Sequence, residues 1–306
     1  MMNVRFWGVR GSIPCPGPLT QKYGGNGACL ELRVGAAQRL VIIDAGSGIR
    51  QLGNYLMQHD LPKGPIQAEI FLSHTHWDHI MGFPFFVPIY VPGSHLKVYG
   101  PVSFEDETLE EVVGGQMKYR YFPVNMGELR SSIEYISLRE EAGRDHGDGL
   151  LLTTKFLNHP ITALGYRFEY QGKSFCTCYD FEPFRNLFIT DPEHPDYDEA
   201  MAVEGEEVAR EQNQAMEDFF AGADLLVHDS QYTDAEMKSR MGWGHSSCEY
   251  AIAAARRAGV KRLALFHHDP DRTDEQIDAM AASYCMPGSA GEMEVFFARE
   301  GQVVEL

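Results

Sequence analysis

The chain has 306 residues, 44% apolar and 23% charged, with 26 Lys and Arg against 44 Asp and Glu and a formal net charge of −18. This composition excludes the disordered and fibrous classes, and at ~150 residues per domain the length accommodates two domains or one large layered α/β domain. The acidic excess argues against long nucleic acids as partners, since the longest basic cluster is Arg256-Arg257 with Lys261-Arg262 nearby, whereas small phosphates stay open.

The first residues, MMNVRFWGVRGSIPCPG, contain no apolar core of signal-peptide length, and no run approaches the ~18 apolar residues of a membrane span. A soluble, cytoplasmic protein is expected, with no membrane partner. Cys15, Cys29, Cys176, Cys178, Cys248 and Cys285 form no dense framework, so reduced thiols are expected. The Cys176-x-Cys178 pair reads as small apolar residues on one face of a buried strand.

Along the chain, Ala28 to Val34 alternate, and Leu40 to Asp44 is a short apolar run ending in Asp-Ala-Gly-Ser-Gly, which predicts a buried strand entering a turn and helix. Ile49, Leu52 and Leu56 mark one face of that helix. Ala68 to Leu72 predicts a second buried strand, followed by a proline-spaced loop from Phe83 to Pro92. A short helix is expected near Phe104 to Val113 and a loop over 140–149. Strands follow at Leu151 to Leu157, Leu164 to Tyr170 and Lys173 to Tyr179, the last two joined by Gln171-Gly172 as a tight hairpin. The acidic segment 191–220 reads as a helical insertion, with a helix over Glu199 to Phe220, either solvated or serving as a lid or dimer element. Ala223 to His228 predicts a strand. Ser246-x-x-Glu249 has capping-box spacing before a helix that Gly259 ends, and a strand follows at Arg262 to Phe266. Thr273-x-x-Gln276 caps a final helix before a strand at Met293 to Ala298. The order of strands and helices predicts α/β layering in a single domain over 1–306.

The chemistry concentrates in Ser73-His74-Thr75-His76-Trp77-Asp78-His79, where four metal-capable groups follow a buried strand. Imidazole nitrogens and carboxylate oxygens suit Zn²⁺, Mn²⁺ or Fe²⁺, and crowding them is costly without a cation. Lone histidines such as His59 and His95 read as structural or solvated. Three further candidates stand singly at predicted strand ends: His159, Asp180 and His267. Together with the cluster they make two ligand sets that share one carboxylate, the requirement of a two-metal hydrolase.

The ordered set H-x-H-x-D-H, His, Asp, His over residues 74 to 267 resembles the metallo-β-lactamase superfamily. The resemblance implies a four-layer αββα sandwich, with His74, His76 and His159 on one metal, Asp78, His79 and His267 on the other, and Asp180 bridging. It further implies that Asp44 orients a ligand. His267 is preferred to His268 because it directly follows the apolar strand, which leaves His268 as a substrate contact or bystander.

Asp180 and the Asp78-His79 pair argue against the lactamases themselves, and the second His of H-x-H excludes the flavo-di-iron oxygen reducers. Glyoxalase-type thioesterases share the ligand set. Gly244-His245-Ser246-Ser247 is similar to the G-H-S motif of the ribonuclease Z and cyclic phosphodiesterase branch, and His228-Asp229 stands in the matching place. If Asp229 bonds His245, that imidazole suits proton donation to a leaving alkoxide. Ser246 at the following helix start would favour an anion. The short segment between His159 and Asp180 leaves no room for the arm of the familiar bacterial ribonuclease Z.

The expected protein is therefore a binuclear metal-dependent hydrolase, Zn²⁺ first among its cations, acting on a small or cyclic phosphodiester. In this reading Asp78 and Asp180 orient the attacking water and His245 protonates the leaving oxygen. A thioesterase or lactonase is the alternative, and a non-catalytic metal-binding protein the third reading. A homodimer is the expected assembly.

Overall fold

A computed structural model describes residues 1–103, 107–286 and 292–306. The first half contains β1 (Met2–Gly8), β2 (Cys29–Val34), β3 (Arg39–Ile43), α1 (Ile49–His59), β4 (Gln67–Phe71), α2 (Trp77–Ile80), β5 (His95–Pro101), α3 (Leu109–Gly115) and β6 (Ser132–Leu138). The second contains β7 (Glu141–Asp145), β8 (Leu151–Leu157), β9 (Ala163–Tyr170), β10 (Lys173–Cys178), α4 (Glu199–Phe219), β11 (Leu225–Asp229), α5 (Asp234–Met237), α6 (Cys248–Arg257), β12 (Arg262–Phe266), α7 (Asp274–Tyr284), β13 (Glu294–Phe297) and β14 (Val303–Glu305). Two seven-stranded sheets result, ordered β14-β1-β2-β3-β4-β5-β6 and β13-β12-β11-β10-β9-β8-β7.

In each sheet an antiparallel meander passes into a parallel run, at β3-β4-β5-β6 in the first and β10-β11-β12-β13 in the second. Parallel neighbours require crossovers, and these supply the outer helices. Between the sheets lies a core drawn from both, including Val4, Phe6, Phe71, Tyr166, Phe168, Phe175 and Phe266. Outside the first sheet, Ile49, Leu52 and Leu56 of α1 pack on Ile42 and Ile70. Outside the second, Met216 of α4 and Ala251, Ala254 and Ala255 of α6 pack on Cys176, Cys178 and Leu226. The expected αββα layering and the apolar role of the Cys-x-Cys pair are both observed.

Several local expectations need correction. β2 does not alternate, because it is a central strand covered on both faces and is buried at all but one position. Helix α4 is not merely solvated, since Ala202, Gly205, Ala209 and Met216 are buried, Gly205 against Asn186 and Phe188 and Met216 in the core outside the second sheet. The cap of α6 is Ser247, whose side chain accepts from the Tyr250 N–H, and not Ser246. The predicted helix start at Phe104 lies outside the described residues, with α3 beginning at Leu109 and boxed by Thr108 and Glu111. The expected loop over 140–149 contains a strand, β7, whose exposed residues have no apolar pattern to mark it; strands β1, β5, β6 and β14 carry no prediction. Gln171 and Gly172 take φ of 51° and 76°, as a tight hairpin demands, and Thr273 and Gln276 form the expected capping box. No helix among the described residues is long and apolar enough to cross a membrane.

Candidate metal centre

Every candidate metal ligand, and Asp44 with them, follows the C-terminal end of a strand. Asp44 follows β3, the 74–79 cluster follows β4, His159 follows β8, Asp180 follows β10, and His267 follows β12. The register of the second sheet pairs Cys178 with His228 and Asp229 with Phe266, so the ends of β10, β11 and β12 sit side by side. Asp44, Asp180 and His267 take φ of 61°, 41° and 64°. Non-glycine residues in this left-handed region cost roughly 1–3 kcal/mol each and persist where their surroundings over-determine them. Close packing enforces the placement of His267, for a Cβ on Gly11 would lie 2.4 Å from its ring.

Three overlapping sets of possible ligating atoms converge among the described residues: His74, His76, His159 and Asp180 form one, Asp78, His79, Asp180 and His267 the second, and Asp180, Asp229, His245 and His267 a third. The two oxygens of Asp180 divide between the first two: Oδ2 lies 3.6 Å from His74 Nε2 and 3.9 Å from His159 Nε2, while Oδ1 lies 3.3 Å from His79 Nε2 and 3.2 Å from His267 Nε2. Asp78 Oδ2 stands 3.3 Å from both His79 Nε2 and His267 Nε2. His159 Nε2 and His76 Nδ1 are 3.0 Å apart.

The opposite ring nitrogens are held from behind. His79 Nδ1 donates to Asp44 Oδ2 at 2.6 Å, and Asp44 also accepts from the Ser73 N–H at 2.6 Å and the Ser73 hydroxyl at 2.8 Å. His159 Nδ1 donates to the Gly244 carbonyl at 3.0 Å and His267 Nδ1 to Gln231 Oε1 at 3.0 Å. These bonds orient the rings with Nε2 directed inward, as metal-ligating imidazoles require. His74 Nε2, His79 Nε2 and Asp180 Oδ1 are buried without a hydrogen-bond partner. Orphaned polar atoms of this kind fit divalent cations, and the donors are those of Zn²⁺, Mn²⁺ or Fe²⁺.

Burial holds His74 well below the ordinary imidazole range and lowers His159 to about 4, so both are neutral near neutral pH. Burial raises Asp44 from the usual carboxylate range, against the pull of His79 and Ser73. His79 goes the other way: burial opposes its charge, but Asp180, Asp78 and Asp44 hold it well above the ordinary value. Asp78 and Asp180 lie well below the usual carboxylate range despite burial, chiefly through His79 for the first and His267 and His79 for the second. The pattern is a dense anionic pocket in which burial keeps His74 and His159 neutral while the carboxylates around His79 favour its charged form.

Beside it, His245 Nδ1 donates to Asp229 Oδ2 at 2.8 Å, and the His245 ring stacks on that of His267 with centroids 5.1 Å apart. Burial opposes its charge, yet Asp229 raises His245 to about 9. Asp229 is itself fixed by the N–H groups of Gln231 at 3.0 Å and Phe181 at 3.2 Å. His245 Nε2 is left for a reacting group.

Of the two side chains offered as substrate contacts, His268 takes the bystander alternative and Ser246 is spent elsewhere. His268 Nε2 donates to the Ala298 carbonyl at 2.8 Å in a fully packed position, because alternation past the end of β12 turns it away from His267. Ser246 is fully buried and spends its hydroxyl on the Phe181 carbonyl at 2.5 Å, so it neither caps α6 nor meets a substrate. The reading of the motifs also misses three residues. The Ser12 N–H donates to Asp78 Oδ2 at 2.7 Å, Gln231 supports His267, and Glu182 accepts backbone N–H groups of the loop before His245. Gln231 alone carried a signal, standing two residues past Asp229 at a strand end. Trp77 within the 74–79 cluster and Trp243 in the loop before His245 are 72% and 58% exposed.

The family described as Beta-lactamase superfamily domain matches residues 39–197, half of the chain. Ribonuclease Z of Synechococcus sp. (strain CC9311) is 26% identical over 297 residues, covering 88% of each chain. Ribonuclease Z of Lactococcus lactis subsp. lactis (strain IL1403) is 29% identical over 228 residues, 65% of this chain and 70% of that one. Among solved structures, the metallo-beta-lactamase fold protein YhfI from Bacillus subtilis superposes with a TM-score of 0.63 at 19% identity, over 99% of this chain and 98% of that one. Family match, sheet topology and convergent ligand sets together place the chain in the beta-lactamase superfamily, as a metal-dependent hydrolase.

Proposed function

We propose that the protein hydrolyses a small phosphodiester, cyclic diesters included, with His245 as the proton donor. The observation that carries this reading is the His245–Asp229 pair, set against the ligand His267 and beside the shared Asp180. A thiolate leaving an acyl carbon has little use for such a donor, whereas an alkoxide leaving a phosphorus centre does. The ribonuclease Z relatives support phosphodiester chemistry. A small substrate is supported by the net charge of −18 and by the β9–β10 hairpin, which takes up the segment between His159 and Asp180. Exposed indoles at Trp77 and Trp243 offer flat faces on which a base can stack.

His74, His76 and His159 would hold one divalent cation, Asp78, His79 and His267 the other, and Asp180 both. A cation pair in such a site supplies Lewis acidity toward phosphoryl oxygens and eases the ionisation of water. The chain's own groups do the rest. Asp78, anchored by the Ser12 N–H, and Asp180 orient the attacking water. Its oxygen forms the new P–O bond, the bond to the leaving oxygen breaks, and that oxygen takes the proton from His245 Nε2. Asp229 balances the imidazolium before transfer, and the proton lost by water recharges the imidazole through solvent.

Initial rates on bis-p-nitrophenyl phosphate and p-nitrophenyl thioacetate, with Zn²⁺- or Mn²⁺-loaded protein, test the reaction class. Diester turnover with little thioester turnover is expected, and the reverse makes the protein an acyl hydrolase. On a diester that expels an alkoxide, His245→Ala should lower kcat by ~10²–10⁴-fold with bound metal retained. An unchanged kcat removes His245 from the mechanism.

A further inference from the structure

The loop that carries His245 is held by a carboxylate outside the cation-binding sets. Glu182 lies two residues beyond Asp180, and its side chain is 7% exposed. Its Oε1 accepts the Gly242 N–H at 2.9 Å, and its Oε2 accepts the N–H groups of Gly242 at 2.8 Å and Gly244 at 2.9 Å. Arg185 Nε stands 3.8 Å away as its nearest cation. The Glu182 N–H donates to the Asn158 carbonyl at 3.0 Å, and the Glu182 carbonyl accepts from the Asn158 amide at 2.9 Å. Three segments therefore meet at one residue: the one ending in His159, the one containing Asp180, and the one leading to His245.

Gly242 and Gly244 take φ of 87° and 83°, and a Cβ on Gly244 would lie 2.3 Å from His159 Nδ1. The close approach to His159 demands a glycine, yet a segment with two glycines has little of its own to fix it. Successive N–H groups in this conformation form a concavity for an anion. Here a side chain of the protein fills it, through charge-assisted bonds about twice as strong as neutral ones.

We infer that Glu182 is the positioning residue for His245, fixing the Gly242–Gly244 backbone so that the imidazole meets Asp229 and faces the leaving oxygen. The inference rests on the reading of His245 as proton donor. Its test is a series of methyl aryl phosphodiesters with leaving phenols of graded acidity, assayed with metal-loaded wild type, Glu182→Ala, Glu182→Gln, His245→Ala and the double variant Glu182→Ala/His245→Ala. Without an aligned donor the phenol departs more nearly as an anion, and kcat depends more steeply on its acidity.

For Glu182→Ala the expected loss in kcat is about 10–10²-fold with the least acidic phenol but about threefold or less with p-nitrophenol, with KM nearly unchanged and metal retained. Glu182→Gln keeps one acceptor oxygen and should fall between Ala and wild type. The double variant should be no slower than His245→Ala alone. An equal loss across the series, loss of metal, or additive effects in the double variant would overturn the inference. Should Glu182→Ala fail to fold, Glu182→Gln decides: a slope steeper than wild type supports the role and a wild-type slope rejects it. If His245→Ala itself leaves the slope unchanged, the proton-donor reading falls; a steeper slope there with a wild-type slope in the Glu182 variants removes the positioning role alone.

Discussion

Asp44 shows how one buried side chain sets the state of another. Its carboxylate receives both donors of Ser73 and the Nδ1–H of His79, which leaves His79 Nε2 facing Asp78 and Asp180. Asp44→Asn replaces an acceptor oxygen with an NH₂ group that cannot accept these bonds. Supporting partners of metal-bound histidines typically contribute 10–100-fold in affinity, so weaker cation binding by that factor is expected in a chelator-competition titration. Affinity equal to wild type would show that His79 needs no such support. The 74–79 cluster was legible because its spacing is local, and His267 because it directly follows an apolar run. Ser12, Gln231 and Glu182 were not. Ser12 acts through its backbone N–H, which no side-chain pattern reports, Glu182 matters only through neighbours brought close by the fold, and Gln231 offered no more than its place two residues past Asp229. The Ser246 reading failed by a single residue, since a cap depends on which backbone turns into the helix.

At the scale of elements, capping chemistry was the most readable signal. Thr273 accepts the Gln276 N–H at 3.2 Å, while Gln276 Oε1 accepts the Thr273 N–H at 2.8 Å. Thr273→Ala should destabilise the protein by about 1 kcal/mol, measurable as a lower urea midpoint with an unchanged m-value; no shift would show that tertiary packing alone holds α7. Strands were readable where burial imposed a pattern. β10, β11 and β12 are apolar runs buried on both faces, whereas β7 is exposed at every position and has no hydrophobic signature. β1 alternates strictly between buried and half-buried residues, and Met2, Val4 and Phe6 on either side of Asn3 and Arg5 carry that alternation in the sequence, a signal the reading missed.

The two sheets are joined by more than apolar packing. Glu69 on β4 of the first sheet is gripped by Arg39 Nε at 2.7 Å and Nη2 at 2.9 Å from β3, and by His146 Nε2 at 2.9 Å from just beyond β7 of the second. Burial opposes its charge, yet His146 and Arg39 lower Glu69 to about 2 from 4.5. A carboxylate depressed on folding stabilises the native state fully above its unfolded value, and that contribution fades as pH falls toward the folded one. The gap in urea midpoint between wild type and Glu69→Gln should thus be largest near pH 7, smaller at pH 3 and nearly gone near pH 2; a gap independent of pH would mean that the tie acts through shape alone. Architecture on this scale was legible from the alternation of strands and helices, but the inter-sheet tie was not, because Glu69 and His146 are far apart in sequence. The first sheet brings Asp44 to the metal centre and the second brings Asp180 and His267, each at the end of a strand and each in the left-handed backbone well. That well is narrow and isolated from its neighbours. A residue leaving it swings its side chain away in one step, so Asp180 and His267 are lost to the cage only as whole donors, and Asp44 only as a whole support behind His79.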